Sequence, residues 1–285
     1  MALQTATPII RAHCLLGENP LWNTRDQRLY WTDIDAGKVY RFDPRTGEQE
    51  LLYHGITAGG FTFQADGDLL LFRIDDLALL HPDGSVDVLV SHSDDGLERF
   101  NDVIADPEGR VFAGSIGKTG ESGGLYRVDR DGTLTCLWRG TGCSNGMAFS
   151  PDLKTFYWTC SSSRRIFQYP YDRATGALGS PTLFHQASAE EGIPDGMAVD
   201  VLGNIWSARW DGYAVLHHDS SGKVVETIRL PVAKVSSLCF GGPDLDRMYI
   251  TTAGGRPGSD TLDGAVFQMP ALHPGLPEFE SRIGI

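Results

Sequence analysis

The stretch Asn145–Asp152, NGMAFSPD, decides the fold because close copies of it recur along the chain. Asp195–Asp200, DGMAVD, repeats it almost residue for residue. Further copies begin at Asn101 and Ser237, and weaker ones begin at Glu18 and Gly60. Each copy is a short apolar strand that opens with a polar residue and runs into an acidic turn. The turn aspartates lie 40 to 48 residues apart, which is the repeat length of β-propeller blades, and they are Asp26, Asp66, Asp106, Asp152, Asp200 and Asp244.

Further short strands are expected between successive acidic turns. In the third unit they are Arg110–Ser115, Gly124–Val128 and Leu134–Trp138. Such runs are rich in β-branched and aromatic residues and are separated by turn dipeptides such as Asp131-Gly132. No segment keeps a helical period for three turns. The pattern predicts an all-β fold, a six-bladed β-propeller built as one domain from residues 1–285.

The sixth unit is one strand short. It offers Ser237–Phe240, Met248–Thr252 and Ala265–Met269. A three-stranded last blade would leave an open edge, and the spare run Ile9–Leu15 at the other end of the chain could pair there. We therefore predict that the N-terminal strand closes the ring. A large sandwich or double barrel is the alternative, and the regular repeat disfavours it.

Composition narrows the partners. The net charge of −13 argues against nucleic acid, because phosphate binding needs a basic face. No apolar run is long enough to cross a bilayer, and Met1–Pro8 lacks the features of a secretory signal. The five cysteines are odd in number and lack C-x-x-C spacing, which predicts free thiols in a reducing cytoplasm. We expect a cytoplasmic monomer or weak homodimer with no membrane partner.

Four of the six repeated strands open with an oxygen-bearing side chain, from Glu18, Asn101, Asn145 and Asp195. In a propeller the innermost strands line the central channel, so these side chains should gather at one mouth. Two carboxylates and two amides would suit a hard divalent cation, which would also offset the repulsion between the acids. The alternative is structural, since Asn or Asp before Gly is common in turns.

A cation at this mouth would suit hydrolysis of an ester or a lactone, because it can polarise a carbonyl and lower the pKa of a bound water. Asp195 or Glu18 could accept a proton from that water. Arg99 shares a strand face with Asn101 in a regular strand, so it could hold substrate hydroxyls or a developing oxyanion. The alternative for Arg99 is a solvated loop arginine.

Five motifs carry a resemblance to a known family. They are Gly17–Trp22 (GENPLW), Arg99–Asp102 (RFND), Ser144–Gly146 (SNG), Pro194–Met197 (PDGM) and Cys239–Gly242 (CFGG). In this order and spacing, from about Glu18 to Thr252, the chain resembles the SMP-30/gluconolactonase/luciferin-regenerating family. The resemblance implies a six-bladed propeller that binds one divalent metal and hydrolyses sugar lactones to aldonic acids. The family accepts calcium, zinc, manganese, magnesium or iron(II).

The resemblance also implies residue roles. The metal ligands would be Glu18, Asn145 and Asp195, and Asp195 would be the general base. Arg99 and Asn101 would contact the substrate, with Asn101 close to the metal or its water.

Some positions depart from the pattern. Many relatives carry Asp-Ser where this chain has Cys160-Ser161, and Cys143 stands two residues before Asn145. Both thiols are therefore candidates for the neighbourhood of the pocket, although packing is the simpler role for a cysteine. The stretches at 56–60 and 116–123 are candidate lids, and Glu121, the only acid in the second, is a candidate substrate-binding residue.

The sequence thus predicts a metal-dependent lactonase of the gluconolactonase or xylonolactonase type. Two alternatives stay open. One is a phosphotriesterase or aryl esterase on the same scaffold, with a more apolar pocket. The other is a non-enzymatic propeller that binds a protein partner and shows no metal dependence.

Overall fold

The computed structural model describes residues 5–91 and 97–284, which form 25 strands and one short 3₁₀ helix at Ser161–Ser163. The first strand, β1 (Thr7–Ile10), belongs to the last blade. Blade 1 consists of β2 (Gly17–Asn23), β3 (Arg28–Asp33), β4 (Lys38–Asp43) and β5 (Glu48–His54). Blade 2 consists of β6 (Ala58–Phe63), β7 (Leu69–Arg73), β8 (Asp76–Leu80) and β9 (Val86–Ser91). Blade 3 consists of β10 (Leu97–Ala105), β11 (Val111–Gly117), β12 (Gly123–Val128) and β13 (Leu134–Thr141).

The second half of the chain repeats this plan. Blade 4 consists of β14 (Ser144–Phe149), β15 (Thr155–Cys160), β16 (Arg165–Asp172), the short β17 (Ala177–Leu178) and β18 (Thr182–Gln186). Blade 5 consists of β19 (Ile193–Val199), β20 (Ile205–Trp210), β21 (Ala214–His218) and β22 (Val224–Arg229). Blade 6 consists of β23 (Val235–Gly241), β24 (Arg247–Thr252), β25 (Val266–Pro270) and β1. The predicted six-bladed propeller is therefore confirmed.

Closure of the ring is also confirmed, with a shifted boundary. β1 pairs antiparallel with β25, Thr7 opposite Gln268 and Ile10 opposite Val266. The sequence pattern placed this strand at Ile9–Leu15, but the strand ends at Ile10. His13 has a φ of 51°, in the left-handed region, and an extended strand cannot continue through that conformation.

The first strand of each blade packs against the first strands of the neighbouring blades and so surrounds the central channel. These six inner strands are β2, β6, β10, β14, β19 and β23. Large aromatic side chains fill the spaces between blades, and Trp22 of blade 1 stacks on Tyr249 of blade 6 with ring centroids 5.4 Å apart. Burial of such rings dominates the core.

The C-terminal segment after β25 crosses the far end of the channel. Gly275 N donates to Leu245 O of blade 6, Ser281 N to Phe63 O of blade 2, and Arg282 N to Gly109 O of blade 3. The polypeptide thus joins non-adjacent blades at the end opposite the inner-strand starts. The five cysteines, all within the described residues, are unpaired. Among those residues no helix is long and apolar enough to cross a bilayer.

Candidate active site

The inner strands have register shifts at or beside the four predicted site residues. The pairing register shifts between Glu18 and Leu21 in β2 and between Phe100 and Val103 in β10. It also shifts after Asn145 in β14, and after Pro194 in β19. Side chains alternate strictly in a regular strand, whereas a bulge re-aims the local side chain and is frequent beside active sites.

Two glycines in these strands allow the neighbouring inner strands to approach closely. A Cβ on Gly146 would stand 2.5 Å from Asp195 O, and a Cβ on Gly196 would overlap the Ser237 side chain. Neither glycine has a positive φ. Asn145-Gly146 and Asp195-Gly196 are therefore strand residues rather than turns, and the glycine is required for close packing. The turn interpretation of these dipeptides does not apply.

A cavity of about 530 Å³ opens above the bulges at the mouth of the channel. All four polar residues that open the repeated strands line it, together with Arg99. The rest of the described wall includes Asp35, Glu98, Ile116, Ser161, Ser162, Ile193 and Trp210. The structure thus brings Glu18, Asn101, Asn145 and Asp195 from four blades to one cavity.

A chain of hydrogen bonds fixes the amides on the cavity floor. Arg99 Nη1 donates to Asn101 Oδ1 at 2.6 Å, and Asn101 Nδ2 donates to Asn145 Oδ1 at 3.1 Å. Asn145 Nδ2 donates to Ser161 Oγ at 3.2 Å, whose hydroxyl donates to Pro194 O at 2.6 Å. The orientation of both amides is therefore set by their partners, and Asn145 presents its oxygen toward Asn101.

Three buried acids interact at this floor and beneath it: Glu18 and Asp195 line the cavity, and Asp102 lines a second cavity deeper in the channel. Burial raises the pKa of Glu18, and the charges of Asp195 and Asp102 raise it further. The pKa of Asp195 is raised by burial and by Asp102, while Arg99 and Asn145 oppose the shift. Burial raises the pKa of Asp102 to about 7, again against the opposing charge of Arg99. The single guanidinium does not balance the three carboxylates.

The donor set fits a divalent cation. Among its described neighbours the buried Asp195 Oδ1 has no hydrogen-bond partner, which is unusual for a carboxylate oxygen in a protein interior. A dication would relieve the repulsion between the acids, and hard cations prefer carboxylate and amide oxygens. Within residues 5–91 and 97–284 no three His, Cys, Asp or Glu side chains are arranged to hold a metal by themselves. An ion would thus need the Asn145 oxygen.

The remaining candidates lie at different depths. Glu121 is exposed in the loop between β11 and β12, outside the described lining of the cavity. Cys143 lines the cavity with its Sγ 3.7 Å from Asn145 Nδ2, and burial together with Asp195 raises its pKa to about 12. Cys160 is buried beside Thr141, 3.2 Å from its hydroxyl.

The candidate lids are partly strand. β11 extends through Gly117 and β12 begins at Gly123, so the connecting loop spans only residues 118–122. Ile116, at the start of this stretch, lines the cavity. In the other candidate, β6 already begins at Ala58.

Several residues of the site were not predicted from the sequence. Asp102 directly follows Asn101 but lines a second, deeper cavity, and it affects the site through the action of its charge on Glu18 and Asp195. Asp35 and Trp210 come from turns and strand ends outside the repeated motif. No local pattern distinguished these two from other surface residues.

The fold and this floor define a class of protein. Its members are six-bladed propellers in which the inner strands bring carboxylates and amides together at one mouth of the channel. Comparison with known proteins narrows that class. The family model for the SMP-30/gluconolactonase/LRE-like region matches residues 16–254, and the chain belongs to this family.

Three relatives illustrate the similarity. A pentonolactonase, XacC, from Haloferax volcanii is 39% identical over 98% of this chain and 99% of its own. A 6-deoxy-6-sulfogluconolactonase from Pseudomonas putida is 33% identical over 96% of this chain and 98% of its own. The crystal structure of a calcium-binding protein, regucalcin, from Agrobacterium tumefaciens superposes with a TM-score of 0.91. That structure is 24% identical and covers 99% of this chain and 100% of its own, so it supports the fold.

Proposed function

We propose that this protein is a metal-dependent sugar lactonase that opens an aldonolactone to its aldonic acid. The observation that carries the proposal is the convergence of buried Glu18 and Asp195 with the bonded pair Asn101–Asn145 on one cavity floor. The names of the Haloferax and Pseudomonas relatives support a sugar lactone as substrate.

Glu18, Asn145 and Asp195 would hold the metal. When bound, it would supply Lewis-acid polarisation of the lactone carbonyl and a lower pKa for a nearby water. Because the donors are all oxygen, they favour a hard cation such as calcium, magnesium or manganese over zinc. The Agrobacterium regucalcin is a calcium-binding protein, so calcium is the first ion to test.

The side chains of the protein would carry out the proton and binding steps. Asp195 is the proposed base that accepts a proton from the attacking water. Arg99 and Asn101 would hold the substrate oxygens. Water adds to the carbonyl carbon, the ring C–O bond breaks, and the ring oxygen takes a proton and becomes a hydroxyl. The acid formed ionises near neutral pH and releases one proton per turnover.

The cavity has room for a five- or six-carbon lactone. Its volume of about 530 Å³ lies in the range of small-molecule sites, and its floor carries carboxylates and amides whereas its wall includes Ile116, Ile193 and Trp210. The carboxylates and amides of the floor suit the hydroxyls of a sugar, and the apolar part of the wall is the reason for testing organophosphate and aryl esters as well. The relatives leave the substrate's charge open, because one name specifies a pentonolactone and the other a sulfonated lactone.

Elemental analysis of the purified protein, combined with proton release measured in a pH-stat, tests the proposal. We expect about one divalent ion per chain and hydrolysis of aldono-1,4-lactones that stops after chelation and returns when one ion is added back. A phosphotriester and an aryl ester serve as comparison substrates. Lactone hydrolysis that ignores chelation would overturn the metal role, and metal-free protein inactive on all substrates would favour the binding-protein alternative.

A further inference from the structure

Two exposed carboxylates form part of the wall of the cavity above its buried floor. Asp35 lies in the turn between β3 and β4, and Glu98 lies in β10 beside a register shift between Leu97 and Arg99. Both residues are exposed, unlike Glu18 and Asp195. The salt bridges among the described residues involve neither of them. Each therefore places a negative charge on the mouth of the cavity.

The floor does not cancel this charge. Arg99 donates a hydrogen bond to Asn101, and its positive charge attracts the carboxylates of Glu18 and Asp195. That charge therefore compensates groups on the floor and does not neutralise Asp35 or Glu98. With a bound dication, the charges of Arg99 and the ion would offset those of Glu18 and Asp195 on the floor and of Asp102 beneath it. The mouth then remains negative because of Asp35 and Glu98. Narrow clefts of one sign focus their field on the entering ligand.

The mouth also offers contacts that do not depend on ligand charge. Trp210 lines the cavity, and Lys234 Nζ lies 4.8 Å from the centroid of its ring. Lys234 is thus held against the indole and is not part of the described cavity wall. An aromatic wall packs on the C–H face of a sugar ring, while carboxylates accept hydrogen bonds from sugar hydroxyls.

We propose that Asp35 and Glu98 select uncharged sugar lactones at the mouth and speed the departure of the anionic aldonate product. This inference rests on the proposed lactonase function. The substrate enters neutral and leaves with one negative charge, so the same two carboxylates repel the product without repelling the substrate. The same repulsion rejects a lactone that carries its own anionic group. Such a repulsive contact is a common way for a protein to exclude a competing ligand.

A pair of lactones with one ring and different charge tests the selection. D-Glucono-1,4-lactone is neutral, and D-glucaro-1,4-lactone differs from it by a carboxylate at C6. We expect the wild-type protein to favour the neutral lactone in kcat/KM and to bind the anionic one weakly as an inhibitor. Each of Asp35→Asn and Glu98→Gln should reduce the preference about threefold, and the double variant about tenfold.

Two further readouts separate charge from shape. Raising the ionic strength should narrow the wild-type preference and leave that of the double variant nearly unchanged. The double variant should also be inhibited by gluconate at about a several-fold lower concentration than the wild type, because the departing anion is no longer repelled.

Asp75→Asn is the matched control. Asp75 is exposed in the turn between β7 and β8, the position in blade 2 that corresponds to Asp35 in blade 1, and it lies outside the described cavity wall. Asp75→Asn changes the net charge by the same amount as either single variant, and it should leave the preference for the neutral lactone within about twofold of wild type. An unchanged preference in the double variant, or an equal change in the control, would overturn the inference. Wild-type protein that hydrolyses both lactones equally well would overturn the selection alone, whereas metal-loaded protein that hydrolyses neither would overturn the proposed function as well.

Discussion

Two buried aspartates have different surroundings, and the difference distinguishes a structural residue from a candidate catalytic one. Asp106 is fully buried and accepts hydrogen bonds from Arg110 Nε at 2.6 Å and from Tyr171 Oη at 2.8 Å. Asp195 is also buried, but its Oδ1 has no partner among the described residues and its pKa is raised. A buried polar oxygen without a partner destabilises the fold, and the proposed role of Asp195 as ligand and base would account for that cost.

Asp195→Asn should therefore lower the activity of the protein and raise its thermal stability. The variant keeps the shape of the side chain but removes the proposed base and the negative charge of a proposed metal ligand, so kcat should fall by at least about a thousandfold. Because one of three mutually repelling acids is neutralised, the metal-free variant should melt at a higher temperature than metal-free wild type at pH 7.5. Lactone assays and thermal melts in excess chelator measure both effects.

Asp106→Asn is the matched control with the opposite expected result. It breaks partnered hydrogen bonds to a charged group, so it should lower the melting temperature while folded protein keeps its kcat. If Asp195→Asn folds and turns over at the wild-type rate, Asp195 is not the base.

Glu278 should give the stability of the protein a pH dependence that does not involve the groups at the mouth of the channel. It lines a small cavity of about 90 Å³ at the far end of the channel, under the C-terminal segment. Burial raises its pKa from 4.5 to about 7, so the folded state binds this proton more tightly than the unfolded state. The stabilising contribution is complete below pH 4.5 and is lost as the pH rises through 7.

Glu278→Gln should consequently leave the free energy of unfolding nearly unchanged at pH 4.5 and raise it by about 3 kcal/mol at pH 8. Urea unfolding at both pH values, in excess chelator, measures the difference. Glu48→Gln, at an exposed position in β5, is the control and should have little effect at either pH. Equal stabilisation by Glu278→Gln at the two pH values would show that its charge is not the cause.

At the scale of the element, the repeated motif located the inner strands, but it did not determine where their side chains point. The positions of Glu18, Asn101, Asn145 and Asp195 followed from the repeat. The bulges that aim them into one cavity depend on pairing with the second strand of each blade, which no local pattern records. For the same reason Asp102 was not predicted, since its importance follows from its burial beside two other acids.

Gly146→Ala tests whether close approach of the inner strands builds the site. The added Cβ would stand 2.5 Å from Asp195 O, so β14 and β19 must separate or shift. A displacement of this size next to the proposed base should lower kcat by about a hundredfold, with a smaller loss of stability. Steady-state kinetics and thermal melting, compared with wild type, measure the two effects.

Gly120→Ala is the control for that variant. Gly120 lies in the loop between β11 and β12, has no positive φ, and a Cβ there would meet no described atom within 4 Å. Its kcat should match that of wild type. Wild-type kinetics in Gly146→Ala would mean that the inner strands tolerate separation and that the glycine has another role.

At the scale of the whole molecule, long-range connections could not be predicted from the sequence. The repeat predicted six blades and the closing strand, because both depend on strand patterns that are visible locally. The C-terminal segment has no such pattern, yet it returns from blade 6 to blades 2 and 3. Gln64 Oε1 accepts from Ile283 N at 3.0 Å, and Gln64 Nε2 donates to Ile283 O at 3.1 Å.

Ile283 fastens this segment by burial as well as by hydrogen bonds. Its side chain is fully buried against blades 2 and 3 in a cluster that includes Leu70, Phe100 and Val111. Truncation should leave a cavity between the two blades, so Ile283→Ala should lower the free energy of unfolding by about 3 kcal/mol. The proposed active site lies at the other end of the channel, so the folded Ile283→Ala variant should retain the kcat of the wild type. Urea denaturation together with the lactone assay measures both.

Glu280→Gln, in the same segment, is the matched control for Ile283→Ala. Glu280 forms an exposed ion pair with Arg25 at 2.5 Å, and such surface pairs contribute at most about 1 kcal/mol. The two variants should therefore differ in stability by about 2 kcal/mol or more although they alter neighbouring residues. If Ile283→Ala were as mild as Glu280→Gln, the segment would not join the blades in solution. The ring would then depend on the pairing of β1 with β25 for its closure.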